Sequence, residues 1–380
     1  MSTDDEFNTP GQLLTALLAE RGWTQRILAI VLGQDETGIN KIVADKRSIS
    51  ADLAISLEEV LGVPAERILA LQQKFELAKA RLVARPDPNR ATRAHLFGGL
   101  PVSDMIKRGW LSVDDVRDVV NVESELIRFF GVSSIKEIEV LPHAAKKTNV
   151  SEEATPTQLA WLHRAKQIAS EMLAAQFTQF GAKRAVGLLR ELTLSAESIR
   201  KVPRILSEAG IRYVIVESLP GAKIDGVCFW LDDAKPVICM SMRHDRIDNF
   251  WFVLRHELEH VIQGHGKNKI VIDAELEGER AGTGPDVAED ERVANSAAAD
   301  FCVPRKTMDA FIARKAPFFA ERDILGVAAT LRVHPGIVAG QLQHETGRYD
   351  RFRNHLVKVR SIVAPSALVD GWGDVVPVGI

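Results

Sequence analysis

Residues 248–263 read DNFWFVLRHELEHVIQ and decide how the C-terminal half of the chain folds. Apolar residues recur through this stretch at helical spacing, which predicts a deeply buried helix. Asp245 and Asp248 suit its start, because carboxylates accept hydrogen bonds from the N–H groups there and oppose the helix dipole. Short stretches rich in Val and Ile precede it, at residues 211–216, 227–231 and 236–242. We therefore expect a small sheet followed by this helix.

The predicted helix carries His256, Glu257 and His260, a His-Glu-x-x-His pattern. Successive helical residues advance by about 100°, so the two histidines point roughly 40° apart and can bind one metal ion. Zinc bound by two histidines and one carboxylate keeps one position open for water. Glu257 would lie beside that water and accept its proton during attack on a peptide carbonyl. The pattern predicts a zinc-dependent hydrolytic site with Glu257 as general base.

The pattern does not give the third zinc ligand. Metzincins have a histidine where this chain has Gly266 and a glycine where it has Gln263, which excludes that class. The carboxylates that remain as candidates are Glu275, Glu277, Glu279, Glu289, Asp290 and Glu291. Glu291 is favoured because it opens residues 291–304, ERVANSAAADFCVP, whose small side chains suit a helix lying close against the first. Glu279 is the rival, since it lies near the spacing of thermolysin-like enzymes.

These residues resemble the ImmA/IrrE family of zinc metallopeptidases, which pairs His-Glu-x-x-His with a later Glu-x-x-Ala-Asn-x-Phe-Ala motif. The later motif runs here from Glu291 to Ala298 without a gap, with Ala297 in place of the family's phenylalanine. The resemblance covers roughly residues 205–345. It implies a zincin-like fold. It implies that both histidines and Glu291 bind zinc, that Glu257 is the general base, and that a partner repressor is cleaved.

Residues 24–46 read TQRILAIVLGQDETGINKIVADK and have the form of a helix-turn-helix. Thr24 suits the cap of the first helix, Ala29 is small where two helices cross, and Gly33 marks the turn. The stretch resembles the XRE class of repressors, and residues 10–81 resemble the HigA antitoxin family. The resemblance implies that the second helix enters the major groove of operator DNA. The candidate DNA contacts are Gln25, Thr37, Asn40, Lys41, Lys46 and Arg47.

The charge of this N-terminal region disfavours strong DNA binding. Residues 1–82 contain nine Lys and Arg against twelve Asp and Glu, and a net negative surface repels phosphates. The whole chain has a formal net charge of -3, so any DNA contact must be local. A protein-binding role for the helix-turn-helix therefore stays open.

The 380 residues exceed what one hydrophobic core usually serves, so we expect several domains. Pro86 and Pro88 must end the last N-terminal helix, which places a boundary near residue 85. The predicted domains are a helix-turn-helix domain at 1–85, a helical linker or scaffold at 86–205, and a metallopeptidase domain at 206–380. The predicted fold class is mainly α with a small α+β part.

Two finer structural expectations concern the middle and the end of the chain. Residues 159–180 and 182–194 are predicted to form two amphipathic helices. Beyond Pro304 the chain is expected to be helical to about Arg360, with a break at residues 334–336. An extended tail rich in Pro and Gly would follow.

Bulk features favour a cytoplasmic protein. The first ten residues are acidic and polar, unlike a signal peptide. No apolar run approaches the roughly 18 residues of a membrane span. Cys228, Cys239 and Cys302 are odd in number and widely spaced, which predicts reduced, buried thiols and no disulfide framework.

Three functions are compatible with this sequence. The first is a DNA-binding regulator whose zinc endopeptidase domain cleaves or controls a partner repressor or toxin. The second is an antitoxin or autorepressor whose zinc site is structural, and the third is a sensor in which zinc or a small ligand alters DNA affinity. Glu257 favours the first, because a purely structural zinc site needs no base. A homodimer is compatible with all three.

Overall fold

The computed structural model describes residues 7–84, 90–138, 155–267, 271–274 and 289–379. Contacts between Cα atoms divide the chain into two compact units, Met1–Pro88 and Asn89–Ile380. Both units are mainly helical, and the second contains a small sheet. This confirms the predicted fold class, mainly α with a small α+β part. The division of the chain at residues 85 and 205 stays a prediction.

The first unit is a helical bundle. Its described helices are α1 Pro10–Arg21, α2 Gln25–Leu32, α3 Glu36–Val43, α4 Ala51–Leu61 and α5 Ala65–Val83. In each of the first four, the residue before the helix has a side chain that accepts a hydrogen bond from a backbone N–H of the first turn. The capping residues are Thr9, Thr24, Asp35 and Ser50. Such caps satisfy N–H groups that lack a partner within the helix.

The predicted helix-turn-helix consists of α2 and α3. Thr24 caps α2 as expected, and Gly33 ends it in the left-handed conformation at φ 64°. Glycine takes this conformation without the steric cost that a Cβ atom would bring. Ala29 of α2 and both Ile39 and Ile42 of α3 are buried in the core of the bundle. The N-terminal unit thus has the helix-turn-helix fold that the sequence predicts.

In the second unit a series of helices precedes the sheet. They are α6 Arg90–Gly99, α7 Val102–Lys107, α8 Val119–Phe130, α9 Pro156–Glu171, α10 Gln179–Leu192 and α11 Val202–Glu208, with a 3-10 turn at Ala196–Lys201. The prediction of a helix at residues 159–180 was wrong at its end, because residues 172–178 run extended. There the Ala175 N–H donates to the carbonyl of Ser207 at 3.0 Å, and Thr178 caps the start of α10.

The sheet contains two strands beyond those predicted. Its described strands are β1 Arg212–Val216, β2 Ile224–Trp230, β3 Pro236–Met240, β4 Val271–Ala274 and β5 Leu368–Asp370. Their order across the sheet is β4-β2-β3-β1-β5. β1 is parallel to β3 and β5, whereas β2 is antiparallel to β3 and β4. The first three strands confirm the sequence prediction. β4 and β5 are the two edge strands of the sheet.

Helices cover both faces of the sheet, so β1 and β3 are buried along their whole length. In β1, Val214 and Val216 face one hydrophobic core, and Tyr213 and Ile215 face the other. The first core is shared with helices of the middle region. Trp161 of α9 lies within it and donates from Nε1 to the carbonyl of Val216 at 2.9 Å. The helices between residues 100 and 169 therefore cover one face of the sheet.

The other core is shared with α10 and α11 and with the helices that follow β3. The latter are α12 Ile247–Gln263, α13 Glu289–Cys302, α14 Arg305–Lys315, α15 Glu321–Leu331, α16 Pro335–Thr346 and α17 Arg360–Val363. The predicted break is present but lies slightly earlier, at residues 332–334, because Pro335 and Gly336 already belong to α16. Among the described helices, none combines the length and the apolar character needed to cross a bilayer.

The C-terminal tail is more ordered than the predicted extended segment, because it adds β5 to the sheet. Asp370 ends this strand and is completely buried. Its Oδ2 accepts hydrogen bonds from Nε and Nη2 of Arg164 at 3.0 and 2.6 Å, and its Oδ1 accepts from Nε1 of Trp110 at 2.6 Å. Arg164 also donates to the carbonyl of Val376 at 2.7 Å. This buried network joins the tail to α9 and to the residues after α7.

Candidate metal centre

α12 positions the residues of the predicted site and is buried along most of its length. It ends at Gly264, which takes the left-handed conformation at φ 75°. Asp248 lies in the first turn of α12, as predicted, where its charge opposes the helix dipole, but no side chain caps the start of the helix by a hydrogen bond. Asp248 instead forms an ion pair with Arg246, and Asp245 Oδ1 accepts from two backbone N–H groups at residues 359–360. Asp245 therefore fixes the start of α17, far away in the sequence.

His256 and His260 point in the same direction from successive turns of α12, as their spacing predicts. Both side chains are buried. Their Nε2 atoms lie 3.0 Å apart, and their ring centroids are 4.7 Å apart. The ring of Phe252, one turn earlier, stacks on His256 with centroids 6.3 Å apart. The two imidazoles thus face one common point from a rigid, buried helix.

Glu291 is the carboxylate that reaches these rings. It lies in the first turn of α13, and its Oε2 is 3.3 Å from Nε2 of His256 while its Oε1 is 3.4 Å from Nε2 of His260. Ala294 and Ala298 of the same helix are fully buried. Because these side chains are small, α13 packs closely enough against α12 to bring its first turn to the histidines.

The other carboxylates considered as ligands are placed differently. Glu275, Glu277 and Glu279 lie outside the described residues. Glu289 forms an ion pair with Arg292, and Asp290 lies near His265, with Oδ1 3.5 Å from its Nε2.

The three converging groups fit a zinc ion in both chemistry and spacing. Zinc accepts His nitrogens at about 2.0–2.1 Å and carboxylate oxygens at about 2.0–2.2 Å in a tetrahedron, which holds the donor atoms about 3.3 Å apart. The nitrogen–nitrogen and nitrogen–oxygen distances of 3.0 to 3.4 Å are close to this value. Among the described residues, His256, His260 and Glu291 form the one group of His, Cys, Asp or Glu side chains close enough to share an ion.

Glu257 follows His256 on α12 and is completely buried. β2 passes over its carboxylate at Gly226, where a Cβ atom would overlap Oε1 of Glu257. Burial raises the pKa of the Cys239 thiol on β3 well above its usual value, and the Glu257 carboxylate adds to that rise. A side chain at residue 226 would therefore require the Glu257 carboxylate to move, and the neighbouring thiol stays protonated.

Comparison with known protein families agrees with this geometry. The family model described as the IrrE N-terminal-like domain, a peptidase family, matches residues 207–343, which include all four site residues. A helix-turn-helix family model matches residues 14–68. The chain joins a helix-turn-helix domain to an IrrE-like domain. This confirms the resemblances to the ImmA/IrrE family and to the XRE class, whereas the resemblance to the HigA family stays a prediction. Comparisons with curated proteins and with solved structures gave no match.

The IrrE-like domain contains a further residue beside the site that the sequence analysis did not identify. Nδ1 of His265 lies 3.0 Å from Nδ1 of His260, on the side of that ring turned away from Glu291. Its position five residues after His260 matches no zinc-ligand pattern, and for this reason it was missed. The signal available in the sequence was the pair of glycines, Gly264 and Gly266, that flank it.

The helix-turn-helix domain leaves most of its predicted DNA contacts exposed. Gln25, at the start of α2, is half-buried. The exposed residues are Thr37, Asn40, Lys41, Lys46 and Arg47. Asp35 caps α3 by accepting from the Gly38 N–H at 2.6 Å. The negative charge of Asp35 therefore stabilises the N-terminus of α3.

Proposed function

We propose that the IrrE-like domain is a zinc-dependent endopeptidase that cleaves or controls a partner protein, a repressor or a toxin. The helix-turn-helix domain would bring it to operator DNA. One observation carries the proposal: a carboxylate from α13 meets two imidazoles from α12 at zinc-binding distances, and the buried Glu257 directly follows one of these histidines in the helix. A purely structural site has no need for this fourth group.

The roles of the residues follow from their chemistry. His256, His260 and Glu291 would hold the ion and leave one position open. The bound ion would supply Lewis-acid polarisation of the scissile carbonyl and activation of water. Glu257 would accept the proton of the attacking water and return it to the leaving amine. Its burial keeps competing water away, and Gly226 gives its carboxylate room to lie beside the ion site.

Metal content tests the proposed zinc site directly. We expect purified full-length protein to contain close to one zinc ion per chain, measured by inductively coupled plasma mass spectrometry. Glu291→Gln should lower this content strongly after dialysis, because it removes one of three ligands. Glu289→Gln, in the same helical turn, should keep it. Wild-type protein that takes up no zinc would exclude the endopeptidase.

DNA binding is proposed to depend on the exposed face of α3. Each Lys or Arg that contacts a phosphate contributes to the salt dependence of binding. Lys41→Ala should therefore lower affinity for a duplex selected from a random pool, and should reduce the slope of log K against log salt by about one. Lys79→Ala, an exposed lysine on α5, is the matched control. Equal effects of the two substitutions would show that α3 does not face DNA.

A second candidate function, protein binding by the helix-turn-helix domain, has its own supporting observation. The α2 side chains Ile30 and Val31 are 70% and 49% exposed, although this helix borders the backbone of DNA in the docking geometry of such domains. Two exposed aliphatic side chains on a net negative domain suit a protein partner better than phosphates. A selection that enriches no duplex would favour this protein-binding role over DNA binding.

A further inference from the structure

His265 is held in place from three directions. Its N–H donates to the carbonyl of His260 at 2.9 Å, and its own carbonyl accepts from Nε1 of Trp230 at 2.7 Å. The next residue, Gly266, has φ 82°, and a Cβ atom there would lie 2.8 Å from the carbonyl oxygen of Cys228. The turn after α12 is thus fixed against β2, and the imidazole of His265 has a defined position.

We propose that His265 is a positioning residue, which fixes the orientation and the tautomer of the zinc ligand His260. This inference rests on the proposed zinc site. Nε2 of His260 faces His256 and Glu291, so it must offer a lone pair to bind an ion, and the proton of this neutral ring is then on Nδ1. That Nδ1–H donates to Nδ1 of His265, 3.0 Å away. Ligating histidines commonly have such a partner.

The hydrogen-bonded chain that starts at His260 continues from His265 to α13. Once Nδ1 of His265 accepts, the proton of its neutral ring is on Nε2. This atom faces Oδ1 of Asp290 at 3.5 Å. Asp290 is the residue before Glu291, so the chain His260–His265–Asp290 links the two helices that bring the zinc ligands together. Asp290 is largely exposed and its contact is long, so we assign the positioning to His265.

His265 does not act as a ligand of the same ion. It approaches His260 at Nδ1, whereas the other donor atoms cluster around Nε2. Nδ1 and Nε2 lie on different edges of the imidazole ring, so the two contacts serve different purposes. The metal site and its hydrogen-bonded support thus lie on different sides of one ring.

Zinc affinity of the full-length protein tests this role without any substrate. In competition with a fluorescent chelator, His265→Leu should raise the zinc Kd by about 10- to 100-fold, the usual effect of removing such a partner. His265→Asn should stay within a few-fold of wild type, because its amide oxygen can accept from His260. His344→Leu, an exposed histidine on α16, is the control and should not change Kd.

The outcomes separate this inference from the proposed function. Wild-type protein that binds no zinc removes the zinc site itself, and the inference with it. Wild-type protein that binds zinc, together with Leu and Ala variants at position 265 that bind it equally well, removes only the inference. His265→Ala serves as the second variant should Leu disturb folding of the metal-free protein. A changed absorption spectrum of the cobalt-substituted Leu variant, with that of the Asn variant preserved, would support positioning.

Discussion

Glu257→Gln should abolish most peptide-bond cleavage while the protein keeps its zinc. The amide has nearly the shape of the carboxylate and fits under Gly226, yet it cannot accept a proton from water. General-base catalysis contributes about 10²- to 10⁴-fold to the rate, so we expect a loss of that size in kcat. The measurement is cleavage of the protein encoded beside this gene, or of a peptide library, at saturating zinc.

Two comparisons make this result interpretable. Glu289→Gln makes the same chemical change close to the site, at a residue paired with Arg292, and should leave kcat unchanged. Zinc content must be equal in both variants and in wild type. Cleavage by Glu257→Gln at the wild-type rate would show that another group takes the proton, and the role proposed for Glu257 would have to be given up.

Asp370→Leu should cause the largest loss of stability. Asp370 is completely buried, and the Arg164 side chain is 4% exposed. Removing the carboxylate leaves the guanidinium buried without its counter-charge and takes the hydrogen-bond acceptor from Trp110. Breaking a buried ion pair in this way typically costs about 3–5 kcal/mol of the free energy of unfolding. Urea denaturation followed by circular dichroism would measure it.

The control for this stability effect is an exposed ion pair. Asp232 pairs with Lys235 at the surface, 2.7 Å apart, and Asp232→Leu should hardly change the urea midpoint because water screens the pair. The double variant Arg164→Met with Asp370→Leu should recover much of the lost stability, since it leaves no buried charge. A midpoint of Asp370→Leu equal to that of wild type would show that β5 is not anchored by this network.

The parts of the structure that follow from local sequence were predictable. The helical spacing of apolar residues predicts α12 and its buried face, and the four-residue interval places His256 and His260 on one side of it. Glu291 was favoured because small residues follow it, and close helix packing does depend on Ala294 and Ala298. Thr24 and Gly33 marked the ends of α2, since a cap and a left-handed glycine act within one turn.

The parts that depend on distant segments were not predictable. β5 is short, and only its pairing with β1 and the burial of Asp370 make it a strand. Asp245 has the sequence features of a helix cap, but it binds backbone N–H groups more than a hundred residues later. His265 was missed for a similar reason. Its importance depends on a turn held by Trp230 of β2, and the sequence does not show this contact.

The glycine next to the Glu257 carboxylate sets a limit on any minimal version of the proposed enzyme. Gly226 pairs with Met240 on one side and with Asp273 on the other, next to an irregularity in the strand. Only this register brings a residue without a side chain under Glu257. A peptide excised around HELEH, or that helix transplanted onto another scaffold, would retain the imidazoles but lose Glu291 of α13 and the packing of β2 against Glu257. Both the complete set of candidate ligands and the proposed hydrolysis therefore depend on α13 and the sheet as well as on the helix that carries HELEH.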